Sequence, residues 1–590
     1  MDLRVDLRVA AGKVGSLAVV ACALALGACA SSEPQPQPQG APRPATPPSV
    51  DAAHEHEDPI DASHVLVAGP AGCQSHRLAH ALQDASRRAG APLSIAPSPS
   101  DLDGLYLVAW GVADAALVPG NVLGASVHAV ARAGVEVVSA LGLAEELHVV
   151  VAEASPVREV ADLRGRTVSA GRLGSGAALA ARAVLLAAGL DVDAGDVTLR
   201  HEPPTEGIAA LGAGQVDAVV VLGHCQEVHG ARTRLVPVAP DDARALVARE
   251  AGYALAPGSD DGAEVLVVHP WLVARPGQGA ALRGLLGREV EPVDAAAPAA
   301  DGPPLAFRPE AAPLRLAGGP AEGTYARAAR GLARVAEQAD LGGARVVHTT
   351  GSLESFVLLA TGHVDLALVQ EDLVLDALRT PAVAPLLARV RLVAPLFREE
   401  VHLATLPGGP DGLAAVRGKV VAMGEVGSGT LLTARRLLRL AGLTRGDASG
   451  RAIGGARALE ALRAGRVQAA FLVGGQPLPL LAQGGVRLAP IQGVDGYADA
   501  MITGEAYGWV GAPVPTVATR TLLLCRRDLD PAAVGGLVRA LFAHRRNLAA
   551  DHPKWGELDP AAEPPASGLQ PHTGAAAALE SVAPDTAAPW

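Results

Sequence analysis

The chain carries one segment of twenty residues twice. The segment is GRLGSGAALAARAVLLAAGL at Gly171–Leu190 and GEVGSGTLLTARRLLRLAGL at Gly424–Leu443, with eleven identical positions. Further segments match at a similar offset of roughly 250 residues, a period too long for a solenoid repeat. The repeat therefore predicts a tandem duplication of a whole domain. The further matching pairs are Ala109–Asn121 with Ala360–Asp372, Leu147–Gly171 with Val401–Gly424, and Gly207–His224 with Ala458–Gly475.

The repeat divides the chain into two copies. We place the first copy at 64–290 and the second at 314–578, with a Pro/Ala-rich linker at 291–313 and a disordered tail at 579–590. Within each copy, short apolar segments of strand character alternate with segments of helical spacing. This alternation predicts βα units on a mostly parallel sheet, and each copy is long enough for two lobes.

The amino terminus has the features of a lipoprotein signal. Basic residues precede the apolar segment Val14–Ala28, which is too short to span a bilayer comfortably and ends in LGAC at Cys29. We predict a signal peptide at 1–28, lipidation of Cys29 and a Pro-rich disordered tether at 29–63. The alternative is an ordinary signal peptide with an incidental cysteine. Either way, the mature chain is expected outside the cytoplasm.

Composition excludes several function classes. The net charge is -12 and no basic tract is present, so a nucleic-acid role is not expected. No nucleophile with a base, metal set or pair of carboxylates has a motif-level position, so we predict no enzyme, no catalytic residue and no cofactor. The acidic runs, including REE at 398–400, are expected to be solvated.

The cysteines leave alternatives open. Cys73, His76, His224 and Cys225 are expected on loops that face one cleft, where a disulfide, a metal site or unrelated lining residues are all compatible with the sequence. Because their spacing matches no recognised zinc pattern, we predict no metal site. Cys525 lies in an apolar strand pattern and is expected to be a buried, inert thiol.

The glycine turn of the repeat suits an anion. In the second copy a strand leads into Gly424, and Ser428 or Thr430 can cap the helix that follows. A helix N-terminus with outward N–H groups favours an anion by roughly 0.3–1 kcal/mol. The alternative is a turn that serves only packing. The sequence around the turn is neither a Walker A loop nor a nucleophile elbow.

With these motifs together, the second copy resembles the TAXI family of extracytoplasmic solute-binding proteins, the receptors of one branch of TRAP transporters. The resemblance is carried by AGGPAEGTYARAARGLA, TTGSLESFVLLATGHVDLALVQEDL, the glycine-turn segment and VPTVATRTLLLCRRDLD. It implies an α/β, type II periplasmic-binding-protein fold, in two tandem copies each of two lobes around a cleft. The segments that cross between the lobes are expected near Val401–Leu406 and Val517–Leu524.

The resemblance also implies a ligand site in the second copy. The family binds small carboxylates, often glutamate or related compounds. Ser355 and Gln476 depart from the family pattern. The first copy has Pro119 where Gln370 stands and Ala177 where Thr430 stands, so we expect an altered or lost pocket there. The implied ligand-binding residues are Thr324, Tyr325, Ser352, Gln370, Ser428, Thr430 and Gly475.

The sequence therefore predicts a lipid-anchored, extracytoplasmic solute-binding protein. It is expected to capture a small anionic ligand, glutamate-like or a dicarboxylate, for the membrane subunits of a TRAP-type transporter. The alternative is a ligand-sensing or scaffold lipoprotein with a partner that is not a transporter.

Overall fold

A computed structural model gives the fold of most of the chain. It describes residues 64–582, except 70–73, 91–92, 126–128, 224–231, 259–262, 285–291, 294–312, 339–341 and 445. The predicted signal peptide, Cys29 and the tether lie outside the described residues, as does most of the linker. Within the described ranges, no helix is long and apolar enough to cross a membrane.

The first copy has two separate sheets. One has the strand order β13-β4-β12-β3-β1-β2, and the other has β10-β11-β5-β8-β6-β7 with β9 also paired to β5. The strands are β1 (Val65–Ala68), β2 (Ser94–Pro97), β3 (Ala115–Pro119), β4 (Glu136–Leu141), β5 (Glu145–Ala152), β6 (Thr167–Ser169), β7 (Thr198–Arg200), β8 (Ala218–Leu222), β9 (Thr233–Val236), β10 (Ala254–Pro257), β11 (Glu264–Val268), β12 (Pro270–Ala274) and β13 (Pro292–Val293). The helices are α1 (Gln74–Arg88), α2 (Asp101–Ala109), α3 (Gly120–Gly124), α4 (Ala129–Ala133), α5 (Gly176–Ala187), α6 (Pro204–Gly212), α7 (Pro240–Arg249) and α8 (Gly279–Arg283).

The second copy has one continuous sheet of ten strands. Its order is β15-β14-β16-β23-β17-β20-β18-β19, with β21 paired to β17 and β22 to β23. The strands are β14 (Leu314–Ala317), β15 (Ala344–Val347), β16 (Leu366–Gln370), β17 (Val390–Thr405), β18 (Val420–Ala422), β19 (Ser449–Arg451), β20 (Ala469–Gly474), β21 (Arg487–Ala489), β22 (Ala498–Ile502) and β23 (Val514–Arg526). The helices are α9 (Thr324–Gln338), α10 (Ser352–Ala360), α11 (Glu371–Arg379), α12 (Gly429–Leu440), α13 (Gly455–Arg463), α14 (Pro531–Ala543), α15 (Arg545–Asp551) and α16 (Thr573–Ser581).

The two copies share one topology. The order β2-β1-β3-β12-β4 in the first copy matches β15-β14-β16-β23-β17 in the second. The long strands β17 and β23 extend through both lobes of the second copy, whereas the first copy divides each of them in two, as β4 with β5 and β11 with β12. The predicted fold class, α/β with two tandem copies of two lobes, is confirmed.

The segments that cross between the lobes of the second copy agree only in part with the predicted ones. The pairing of β17 with β23 shifts register between Pro395 and Arg398, where β17 passes from one lobe to the other. This shift precedes the predicted segment Val401–Leu406. The second predicted segment, Val517–Leu524, lies within β23.

The copies contact each other through helices that are buried on nearly every side. Helix α2 is buried from Leu102 to its end, and α10 is buried along its whole length. A helix that is buried on every face needs packing partners on every face. The Trp110 ring meets the Phe356 ring edge to face, with centroids 5.9 Å apart. One hydrophobic cluster therefore contains residues of both copies.

Two domain boundaries differ from the prediction, whereas the state of Cys525 agrees with it. Strand β13, inside the predicted linker, pairs with β4 of the first copy. Helix α16 continues to Ser581, past the predicted start of the tail. Cys525 is fully buried, and burial raises the pKa of its thiol to about 12. The prediction of a buried, inert thiol is confirmed.

Candidate ligand-binding cleft

Three of the predicted ligand residues lie together in one lobe of the second copy. Tyr325, Ser352 and Gln370 are at the carboxyl ends of β14, β15 and β16 or in the helices that follow, the edge where open α/β sheets bind ligands. The Ser352 hydroxyl donates to the Tyr325 hydroxyl at 3.5 Å, and it accepts from the Gln370 backbone N–H at 3.2 Å. All three residues are buried.

The glycine turn faces this group from the other lobe. The Ser428 hydroxyl accepts from the Leu431 N–H at 3.2 Å, so Ser428 caps α12 as predicted. The Glu354 N–H donates to the Gly427 carbonyl at 3.2 Å. A Cβ atom on Gly351 would lie 3.1 Å from the Ser428 Cα. The two lobes are therefore in contact at the turn, and the cleft is closed.

Gln370 lies directly opposite the start of α12. A Cβ atom on Gly429 would lie 1.7 Å from Gln370 Oε1, so a larger residue there would displace the Gln370 side chain. Gln370 Oε1 is buried and has no hydrogen-bond donor among the described residues. An unsatisfied buried acceptor is costly, and it is a natural partner for a donor on a ligand.

The other predicted residues lie at the margin of this group. Thr430 is half-buried in the first turn of α12, where its Cβ lies 2.8 Å from an ideal Cβ on Gly424. Thr324 Oγ1 lies 3.9 Å from an ideal Cβ on Gly474. Gly475 contacts the Lys554 side chain instead, at 2.7 Å from its ideal Cβ to Cγ. Among the described residues, no side-chain hydrogen bond joins Thr324 or Gly475 to the group of Tyr325, Ser352 and Gln370.

Sequence reasoning missed a buried carboxyl group of the cleft. Glu399, on β17, is 2% exposed, and its carboxylate accepts from the Tyr325 hydroxyl at 2.8 Å. Burial raises its pKa to about 7. The prediction that the REE run is solvated is wrong for two of its three residues: Glu400 is also buried, 2.6 Å from Lys554 Nζ. Glu399 is enclosed by its contacts with Tyr325 and Gln370, and Glu400 by its ion pair with Lys554.

The sequence does contain one feature that distinguishes Glu399, a short string that is repeated in both copies. The chain reads EELH from Glu145 and EEVH from Glu399, at matching places in the two copies. Glu145 is 5% exposed and accepts from the Ser75 hydroxyl at 3.1 Å, as Glu399 does from Tyr325. Burial, with the charge of Asp101, raises its pKa to about 8. Both copies therefore place a buried glutamate beside a hydroxyl at the start of the first helix, α1 or α9.

The first copy differs at the position that Ser352 occupies in the second. Asp101 stands there, and its Oδ2 accepts from the Gly176 N–H at 2.8 Å, at the start of α5. Burial raises the pKa of Asp101 to about 6, although the N–H bond lowers it. The helix N-terminus that would receive a ligand anion thus receives a carboxylate of the chain.

The hypothetical metal ligands are mostly outside the described residues. Cys73, His224 and Cys225 cannot be placed, while His76 lies on α1 with its Nε2 3.2 Å from His80 Nε2. Among the residues that the structure describes, no group of three or more His, Cys, Asp or Glu could hold a metal ion.

The buried glutamates predict how the stability of the unliganded chain depends on pH. Burial lowers the pKa of His201 and His402 to about 4 and of His363 to about 3, so their protonation opposes folding only below about pH 6.5. Glu145 and Glu399 have raised pKa values, so the folded state retains protons that the unfolded state has lost. Their contribution to stability is present at low pH and disappears as the pH rises through about 7 to 8.

We therefore expect the free energy of unfolding to fall by about 2 kcal/mol from pH 6.5 to 8.5. Denaturant titrations at both values measure this difference. Glu145→Gln should remove more than half of this decrease in the free energy of unfolding, because the pKa of Glu145 is higher than that of Glu399. A free energy of unfolding that rises over this interval would contradict the assignment of these two carboxyl groups.

The strand order and the two-lobed copies give the chain the architecture of type II periplasmic binding proteins. It belongs to the NMT1-like family, whose family model matches residues 113–227 and 316–580, more than half of the sequence.

Solved structures match with low identity over part of the chain. The periplasmic aliphatic sulphonate binding protein SsuA from Escherichia coli matches with 21% identity, over 38% of this chain and 66% of that chain, with a TM-score of 0.28. This chain thus covers slightly less than two thirds of the E. coli protein. The alkanesulfonate-binding protein SsuA from Xanthomonas axonopodis pv. citri bound to MOPS matches with 19% identity over 47% and 86% of the chains, TM-score 0.28. The arginine-, lysine-, histidine-binding protein ArtJ from Geobacillus stearothermophilus matches with 14% identity over 38% and 87%, TM-score 0.26.

Proposed function

We propose that the chain is an extracytoplasmic solute-binding protein whose second copy captures a small amino acid in its cleft. The observation that carries the proposal is Glu399, a buried carboxylate beside Tyr325 and Gln370 and across the cleft from the glycine turn. The cleft thus offers a negative group on one side and a helix N-terminus on the other. The ammonium group of an amino acid suits Glu399, and its carboxylate suits the start of α12.

The charge of Glu399 narrows the ligand class that the sequence predicted. A dicarboxylate would bring further negative charge near a carboxylate that burial already destabilises, and like charges in a buried site repel. An ammonium group would instead compensate Glu399 and donate to the unsatisfied Gln370 Oε1. A zwitterion such as glutamate therefore fits better than a dicarboxylate without an amino group.

In this proposal the first copy does not bind an anion. Asp101 occupies the place where a ligand carboxylate would accept from the helix N-terminus. Asn121 Nδ2 donates to the Gly176 carbonyl at 2.8 Å and holds the same turn from the other lobe. The first copy then serves as a structural partner that packs against the second.

The difference between the copies gives a direct test. Ser352→Asp places in the second copy the carboxylate that the first copy has at Asp101. We expect it to weaken binding of L-glutamate to the full chain by at least about tenfold, because the added carboxylate competes for the start of α12. Isothermal titration calorimetry at pH 8 measures the affinity.

Ser352→Ala is the matched control, since it removes the hydroxyl without adding charge. It should weaken binding much less than Ser352→Asp does. Equal affinity for L-glutamate in the Ser352→Asp variant and the native chain would refute this site.

The partner and the anchor belong to the same proposal. The NMT1-like family supports a solute-binding role, and the TAXI-like motifs favour delivery of the ligand to TRAP-type membrane subunits. The lipobox-like LGAC supports anchoring through Cys29 on the periplasmic side. The alternative of a sensor or scaffold lipoprotein would be favoured if the chain co-purified with a signalling protein and no transporter subunit.

A further inference from the structure

The cleft of the first copy contains two carboxyl groups whose charge no described basic side chain balances. Glu145, at the start of β5, is 5% exposed, and Asp101, at the start of α2, is half-buried. The charge of Asp101 contributes to the raised pKa of Glu145, so the two groups lie near each other. Their hydrogen bonds are with the Ser75 hydroxyl and the Gly176 N–H, and in the described part of the chain neither forms an ion pair.

An amide oxygen at the same place has no donor. Asn121 is 3% exposed, and its Nδ2 donates to the Gly176 carbonyl at 2.8 Å and to the Tyr253 hydroxyl at 3.1 Å. Its Oδ1 is buried and has no hydrogen-bond donor among the described residues. This oxygen lies 3.1 Å from an ideal Cβ on Gly176, the residue whose N–H binds Asp101. A buried acceptor without a donor is costly, so it indicates a donor on a ligand.

The second copy has an equivalent oxygen, supplied by a different residue. Gly176 and Gly429 occupy the same position of the repeat, and Gln370 Oε1 is the acceptor without a described donor beside Gly429. The first copy has Pro119 in place of Gln370, and Asn121 supplies the oxygen from two residues further along the chain. Both copies therefore keep such an acceptor at the glycine turn, but only the first copy adds a carboxylate there.

This set of acceptors suits an ammonium group but not an amino acid. A primary ammonium group has three N–H donors, and Glu145, Asp101 and Asn121 Oδ1 supply three acceptors. A carboxylate on the ligand would meet two like charges and find the start of α5 already occupied. Pro119 and Leu222 lie at the same turn, where they can contact an alkyl chain. We propose that the first copy, besides packing against the second, is a further ligand site that binds a small alkyl amine without a carboxyl group.

The proposal is tested with butane-1,4-diamine, whose second positive charge matches the second carboxylate. It is titrated into the full chain by isothermal titration calorimetry at pH 8.5, where carboxyl groups with pKa values of about 6 and 8 are mostly ionised. We expect saturable binding with a dissociation constant of about 1 mM or lower. Absence of saturable binding up to about 10 mM would overturn the proposal.

Matched variants locate the site. Glu145→Gln and Asp101→Asn each keep the size of the side chain and remove a charge, so each should weaken diamine binding at least about tenfold. Glu399→Gln makes the same change in the second copy and should leave diamine binding unchanged. A diamine affinity that falls in Glu399→Gln and stays unchanged in both variants of the first copy would refute the location.

A carboxylated analogue tests the selectivity. 4-Aminobutanoate has an alkyl chain of similar length with a carboxylate in place of one ammonium group, and the second copy is free to bind it. Its affinity for the chain should therefore be the same with and without Glu145→Gln. An equal loss of affinity for the diamine and for 4-aminobutanoate in this variant would contradict a site that excludes carboxylates. This outcome does not depend on which ligand the second copy binds.

Discussion

Glu399→Gln is expected to weaken binding of an amino acid ligand about 100-fold, or ~2.7 kcal/mol. Glutamine keeps the size of the side chain and can still accept from the Tyr325 hydroxyl, but it lacks the charge that faces the ammonium group. Loss of one member of a buried charged pair is costly because the other member stays buried and unpaired. Isothermal titration calorimetry with L-glutamate on the full chain at pH 8 measures the effect.

The other copy supplies the matched control for this variant. Glu145→Gln makes the same chemical change at the equivalent strand position, beside Ser75 in place of Tyr325. It should leave L-glutamate affinity unchanged, because the first copy is closed by Asp101. If both variants weaken binding equally, the assignment of the ligand to the second copy is wrong.

The pKa of Glu399 adds a pH signature to the same experiment. An ammonium group requires the ionised carboxylate, and burial raises the pKa of Glu399 to about 7. Affinity should therefore increase as the pH rises towards about 7 and level off above it. Glu399→Gln should lose this dependence. An affinity that is highest below pH 6 in the native chain would contradict the proposed role of the carboxylate.

Phe356→Ala is expected to lower the free energy of unfolding by about 3–5 kcal/mol. The ring is fully buried in α10 and packs edge to face against Trp110 of the first copy. Its removal costs transfer free energy and leaves a cavity in the cluster that joins the copies. Denaturant unfolding of the full chain measures the loss, and Trp110 fluorescence should change at the same time.

A conservative variant separates packing from general disruption. Phe356→Leu keeps most of the apolar volume and should cost clearly less than Phe356→Ala. A loss below about 1 kcal/mol for Phe356→Ala would show that the two copies do not share a tightly packed core.

The fold was predictable because its signals are local and occur twice. The alternation of apolar strand segments with helical segments predicts α/β lobes, and the glycine turn predicts the start of α12. The cap at Ser428 depends only on its neighbours in sequence, and the structure has it. The repeat then extends the prediction from one copy to the other, where Ser175 caps α5 in the same way.

The charge of the cleft was not predictable from composition. A run such as REE is normally solvated, and only tertiary contacts bury it here, those of Glu399 with Tyr325 and of Glu400 with Lys554. The repeated EELH and EEVH strings do indicate that the glutamates are buried, because solvated residues are free to differ between the two copies. The contact between copies through α2 and α10 likewise depends on how two distant helices meet.

The most direct test of the account is a thermal-shift screen of the full chain at pH 8. L-amino acids are each compared with the acid that lacks the amino group, such as L-glutamate with glutarate. A ligand at 100 times its dissociation constant adds about 2.7 kcal/mol of stability. We expect at least one amino acid to raise the melting temperature and its deaminated counterpart to leave it unchanged. No shift with any amino acid, or an equal shift with the deaminated acid, would contradict it.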